Sequence, residues 1–145
     1  MKFSLKEAAA KSSILKEEFN DEIKQNALDL IQKINALNCP FPRFVSSFIR
    51  SKTRQIEIYK QKARDKKHPF ENGVFDLSKV PLKSQHLTGR AIDIQDGDGK
   101  LKKWIQENIS KLEEVGLYVE DFRYTKTWVH LQSTAPKSGS RFFIP

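Results

Sequence analysis

Ser84-Gln-His-Leu-Thr-Gly-Arg-Ala-Ile-Asp93 reads as a turn running into a short strand, and Trp128-Val-His-Leu-Gln132 reads as a second strand of the same kind. Side chains of a strand alternate between faces, so Ala91 and Asp93 share one face while Arg90 and Ile92 take the other. By the same rule Trp128, His130 and Gln132 face one way, and Val129 and Leu131 turn into a core. Gly89 stands where the chain must turn between His86 and the strand, in a conformation that glycine adopts at little steric cost. The chain has three histidines, two of them in apolar segments with Asp93 close by. Two imidazoles and a carboxylate are the donor set of a catalytic zinc ion, filling three corners of a tetrahedron and leaving the fourth for water. Hydrogen-bonded core histidines have the same spacing, so at this point both readings stand.

The pattern Ser84-x-His86-x-x-Gly89-x-Ala91-x-Asp93, followed by Trp128-x-His130, resembles the D-Ala-D-Ala carboxypeptidase-like zinc peptidases, a group that includes bacterial cell-wall peptidases and phage endolysins. Phe44-Val-Ser-Ser-Phe-Ile-Arg50-Ser51 is similar to the family segment Val-x-Ser-Gly-Tyr-Arg-Ser, with Phe48 where the family has glycine. The likeness runs from roughly Pro42 to the C-terminus, and its tail, from Gly116 through Trp128 to Pro145, looks like small phage-encoded members. It implies zinc held by His86, Asp93 and His130, and Arg50 supporting substrate and transition-state charge. Ser84 would hydrogen-bond substrate. The implied substrate is a peptidoglycan stem peptide, cut at the L-Ala-D-Glu bond or at a D-Ala bond. The implied fold is α+β, a small antiparallel sheet carrying the zinc site and packed with helices, as in hedgehog domains and DD-peptidases.

Hydrolysis also needs a carboxylate to move a proton from water to the leaving amine. Many relatives place one three residues before the last histidine, where this chain has Thr127, and a hydroxyl is no base near neutral pH. Glu120 ends the apolar run Leu117-Tyr-Val119, and an antiparallel hairpin would return it close to His130. The order of these residues also resembles the zinc site of hedgehog signalling domains, where a Glu ends the equivalent strand. Glu120 is therefore the expected base and Asp121 the second choice, with surface turn carboxylates as the plain alternative for both.

With 145 residues, 38% of them hydrophobic, one domain is expected: a helical segment over 1–40 packed on a core over 41–145. No stretch approaches the roughly 18 apolar residues of a membrane span, and no apolar signal core opens the chain. The resemblance then implies a monomeric protein made in the cytoplasm that reaches the wall through a holin or in a virion, with no separate wall-binding domain. Cys39, the single cysteine, excludes an intrachain disulfide and a Cys-rich structural zinc site. The net charge is +8, and lysines and arginines gather between Arg50 and Lys67, a patch suited to polyanions or simply to solvent. Nucleic acid is not the expected partner, because no nucleic-acid motif is recognised and the aromatic residues are not interleaved with the patch in the way a base-stacking platform needs. A catalytically silent metal-binding module and a basic nucleic-acid-binding protein remain the rival readings.

Along the chain, Leu5 to Phe19 predicts a short helix, and Asn20 caps a longer one to about Leu37 with Ile23, Ala27, Leu30, Ile31, Ile34 and Leu37 on one stripe. Lys52 to Ala63 is helical, and Lys66 to Lys83 is a loop rimming the site, with His68 an exposed loop residue. Asp96-Gly-Asp-Gly99 is too short for a calcium loop and precedes a helix from Lys100 to about Glu114, its stripe being Leu101, Trp104, Ile105, Ile109 and Leu112.

Overall fold

The computed structural model describes residues 1–13 and 18–145. Two helices open the chain, α1 (Leu5–Ala9) and α2 (Asp21–Ala36), and α3 (Lys52–Arg64) follows strand β1 (Val45–Ser47). Strand β2 (Ala91–Gln95), helices α4 (Lys100–Glu107) and α5 (Ile109–Val115), and strands β3 (Tyr118–Glu120), β4 (Trp128–Gln132) and β5 (Phe142–Phe143) complete the order. The sheet runs β1-β2-β4-β3-β5. Its pairs are antiparallel, as expected for the strands that carry the site, except the edge pair of β3 with β5, which is parallel. A two-residue strand reached after a long irregular loop carries no hairpin signal, and its direction is not readable from local pattern.

Alternation along β2 and β4 builds the core and the site together. Ile92, Ile94, Val129 and Leu131 are fully buried and share one cluster with Leu30 and Ile34 of α2, Leu101 and Ile105 of α4, and Leu112 of α5. Their strand neighbours Asp93 and His130 stand on the other face, directly opposite one another in the β2–β4 register. A one-residue slip would push both into the core, so the apolar residues behind them also fix the site.

Helix α2 starts where its cap predicts: the Asn20 side chain accepts from the Ile23 amide at 2.9 Å. The helix after Asp98 is broken in two at Asn108. There the side-chain amide donates to the Trp104 carbonyl at 2.8 Å, and the backbone N–H turns to Ile105 at 3.1 Å instead of continuing the ladder. Asp96 is spent on this element, its carboxylate accepting from the Leu101 and Lys102 amides at 2.9 and 3.0 Å. The expected helix from Leu5 to Phe19 is cut short at Ala9; residues 14–17 of that span lie outside the described residues. Residues 11–13 instead lace along the segment after β1, with Lys11 O, Ser12 Oγ and Ser13 bonding Phe48, Ile49 and Ser51.

A second, smaller cluster forms under the 66–83 loop, where Phe70, Val80 and Ala63 are buried against Tyr59, Phe75 and Leu82. Gln55 of α3 ties the loop down by donating to the Pro81 carbonyl at 3.1 Å. This loop is therefore a packed rim.

Gly89 ends the 3₁₀ turn Gln85–Thr88 in the left-handed region, with φ +78°. A Cβ there would lie 2.9 Å from the Ile23 carbonyl oxygen of α2. Gly89→Ala is expected to cost about 1–2 kcal/mol from the dihedral alone, and more from the contact. Thermal unfolding checks it against Gly97→Ala, where a Cβ meets nothing within 4 Å and no comparable loss is expected.

Candidate metal centre

His86 sits on that 3₁₀ turn, and Ser84, the residue before it, caps it by accepting from the His86 amide at 3.3 Å. The imidazole is buried, and its Nδ1–H donates to the Phe48 carbonyl at 2.6 Å. That bond fixes the tautomer, and the lone pair of Nε2 then points at Asp93 Oδ1, 3.3 Å away. Phe48 thus contributes through its carbonyl, which any residue would supply, while its side chain fills the core.

His130 approaches Asp93 Oδ1 with Nδ1 at 3.0 Å, and its Nε2–H donates to Gln132 Oε1 at 2.9 Å. Gln132 in turn donates to the Thr134 carbonyl at 2.8 Å, which orients its amide with the oxygen toward the ring. One ligand atom from each of His86, Asp93 and His130 lies within 4.8 Å of the others. Both imidazoles therefore place their outer N–H on a held acceptor and aim the remaining nitrogen at one carboxylate oxygen. Acceptors held behind the rings in this way orient zinc-ligating histidines, and the donor set of the chain fits that ion. Gln132→Leu, which deletes the acceptor behind His130, is expected to weaken zinc binding about 10–100-fold in a chelator competition.

Arg50 backs Asp93 from the other side. Its Nη2 donates to Asp93 Oδ2 at 3.1 Å, Nε to Ser47 Oγ at 3.1 Å and Nη1 to Gln55 Oε1 at 3.3 Å. Burial alone would raise the Asp93 carboxyl; hydrogen bonds and charge from the two imidazoles in their protonated form outweigh it and hold the carboxyl well below the usual range. Burial pushes His86 down, toward the neutral form a ligand needs. In His130 burial acts the same way, but Asp93, Glu120 and Gln132 outweigh it and the ring moves up.

Glu120 ends β3 one step past the Val119–Leu131 pair, which brings its Oε2 to 3.9 Å from His130 Nδ1. Burial raises its pKa, and the charge of Asp93 adds to the rise against His130 and Lys62. Asp121 is taken up by Arg123, which donates to both its oxygens at 3.0 and 2.8 Å. Thr127 is exposed, and the His68 side chain is 88% exposed and paired with Glu71. Both stand apart from the cleft.

The cleft over these groups has a volume of about 490 Å³. Arg50, Ser84, His86, Asp93, Glu120 and His130 all line it, joined by Gln55, Tyr59, Lys62, Lys83, Tyr124, Trp128 and Gln132. The sequence reading assigned no role to Gln55, Tyr59 or Lys62. All three lie on α3, and a helix that lends one edge to a cleft shows only its ordinary amphipathic pattern.

A family model described as VanY, D-alanyl-D-alanine carboxypeptidase, matches residues 16–142, a span that takes in α2 as well as every cleft residue up to Gln132. No curated protein and no solved structure matches the chain.

Proposed function

The chain belongs to the VanY D-alanyl-D-alanine carboxypeptidase family of zinc peptidases, and from that premise we propose that it cuts peptidoglycan stem peptides, at a D-Ala bond or at L-Ala-D-Glu, as a phage-type endolysin or wall hydrolase. The observation that carries this reading is the convergence of His86, Asp93 and His130 donors within 4.8 Å, beneath an open cleft. When bound, zinc supplies a Lewis acid that polarises the scissile carbonyl and acidifies water. The chain's own groups do the rest. Glu120 accepts a proton at its carboxylate and passes it to the leaving amine, a task suited to a carboxyl whose pKa burial has raised. Arg50 holds Asp93 in place through Nη2 and keeps two N–H groups uncommitted toward the cleft, where negative charge develops. Ser84 uses its oxygen as a cap and retains its O–H to donate to substrate.

Residues 1–40 act as part of the same domain as 41–145: Met1, Phe3 and Ala8 are buried in the cluster that holds Ile92 and Leu131. No helix among the described residues is long and apolar enough to cross a membrane. The protein would work as a monomer, delivered to the wall by a holin or a virion, with zinc and peptidoglycan as its partners and no nucleic acid. Mass spectrometry of purified walls after digestion tests the reading. New amino termini at D-Glu or release of D-Ala support it and name the bond. Walls left intact by zinc-loaded protein refute it and favour a silent metal-binding module.

A further inference from the structure

Three cations line the cleft, and they differ in what they are already doing. Arg50 donates to Asp93, Gln55 and Ser47, which fixes the guanidinium beside Asp93 with its two remaining N–H groups directed to the reacting carbonyl. Lys83 is exposed, so its ammonium stays hydrated and contributes little to recognition. Lys62 is only partly exposed and lies against the Tyr59 ring, Nζ 4.4 Å from the centroid. Among the described residues no carboxylate comes within 4.0 Å of its ammonium and no hydrogen bond uses it. Its field reaches both Arg50 and Glu120, the group that returns a proton to the leaving amine. A partly desolvated cation without a counter-ion, stacked on an aromatic ring and facing a cleft, is built to receive an anion.

We propose that Lys62 anchors a free α-carboxylate on the substrate residue whose nitrogen leaves. This deepens the peptidase reading and rests on it. The chemistry is shared by both candidate bonds. Cleavage of D-Ala-D-Ala releases a terminal D-Ala whose carboxylate sits on the carbon bearing the departing nitrogen. Cleavage of L-Ala-D-Glu releases a D-Glu that is linked onward through its γ-carboxyl, so its α-carboxylate is free in the same position. One ammonium in the cleft that Glu120 also lines serves either substrate.

Peptide pairs that differ only at this carboxylate read it out. An acyl-D-Ala-D-Ala is compared with its C-terminal amide, and a muramyl-L-Ala-γ-D-Glu with the γ-D-isoglutamine form; the pair that is cut identifies the source of the carboxylate. The zinc-loaded wild type is expected to prefer the acid by about 10–100-fold in kcat/KM, the range of a hydrogen bond to a charged group. In Lys62→Met the preference falls toward unity through a rise in KM for the acid, and Lys62→Arg keeps most of it. An acid-over-amide preference that is absent in the wild type, or unchanged in Lys62→Met, overturns the assignment. Wild-type protein that cuts neither pair and leaves walls intact overturns the peptidase reading, and this assignment with it.

Discussion

His86→Ala is expected to strip the protein of zinc, from about one ion per chain to a trace, and to abolish wall lysis. The reason lies in how completely the side chain is committed. His86 is buried, its Nδ1–H is held by the Phe48 carbonyl, and its Nε2 faces Asp93. Removing the imidazole deletes one of three protein donors, and it also leaves a buried carbonyl without its donor, at a cost of about 1–3 kcal/mol. Metal analysis, zymography on purified walls and a melting curve on the same sample separate the two effects. Asp93→Asn keeps the shape of the site and removes the charge that Arg50 and both histidines share. It should lose zinc as His86→Ala does. Full lysis by a thoroughly metal-stripped wild type would refute the zinc site altogether.

The sequence carries this site unusually plainly, because the residues that matter lie on strands with one buried face. Ile92, Ile94, Val129 and Leu131 announce by alternation which way Asp93 and His130 must face, and opposing the two strands brings the pair together. Helix α2 was legible for the same reason at a different period: its Asn20 cap holds, and Ala27, Leu30, Ile31 and Ile34 of its stripe are buried. What escaped has a physical cause in each case. The break at Asn108 depends on a side-chain amide competing for one carbonyl, which helical periodicity does not register. The lacing of residues 11–13 along 48–51 joins two irregular stretches distant in sequence, with no pattern in either. The unusual Phe48 looked like a departure from the family turn, yet its role is carried by a backbone oxygen. Lys62 looked like one lysine in a basic run, and only its place on α3, against Tyr59 and in the cleft that Glu120 also lines, sets it apart.

Glu120→Gln should keep its zinc and lose turnover by about 10²–10⁴-fold, the usual contribution of a general base. Thr127 occupies the position where many relatives carry a carboxylate, and it is exposed in this chain. A base must then come from the neighbouring strand, and β3 ends at Glu120, whose Oε2 lies 3.9 Å from His130 Nδ1. Gln preserves the size and a hydrogen-bonding oxygen but cannot take up a proton. The metal ligands are untouched, so metal content and melting temperature should match the wild type while kcat falls. Asp121→Asn is the control that decides between the two neighbours. Its carboxylate is held by Arg123 and does not line the cleft, so the variant should keep wild-type turnover. If Asp121→Asn abolishes turnover and Glu120→Gln does not, the base belongs to Asp121, and the hairpin does a different job from the one its geometry supports.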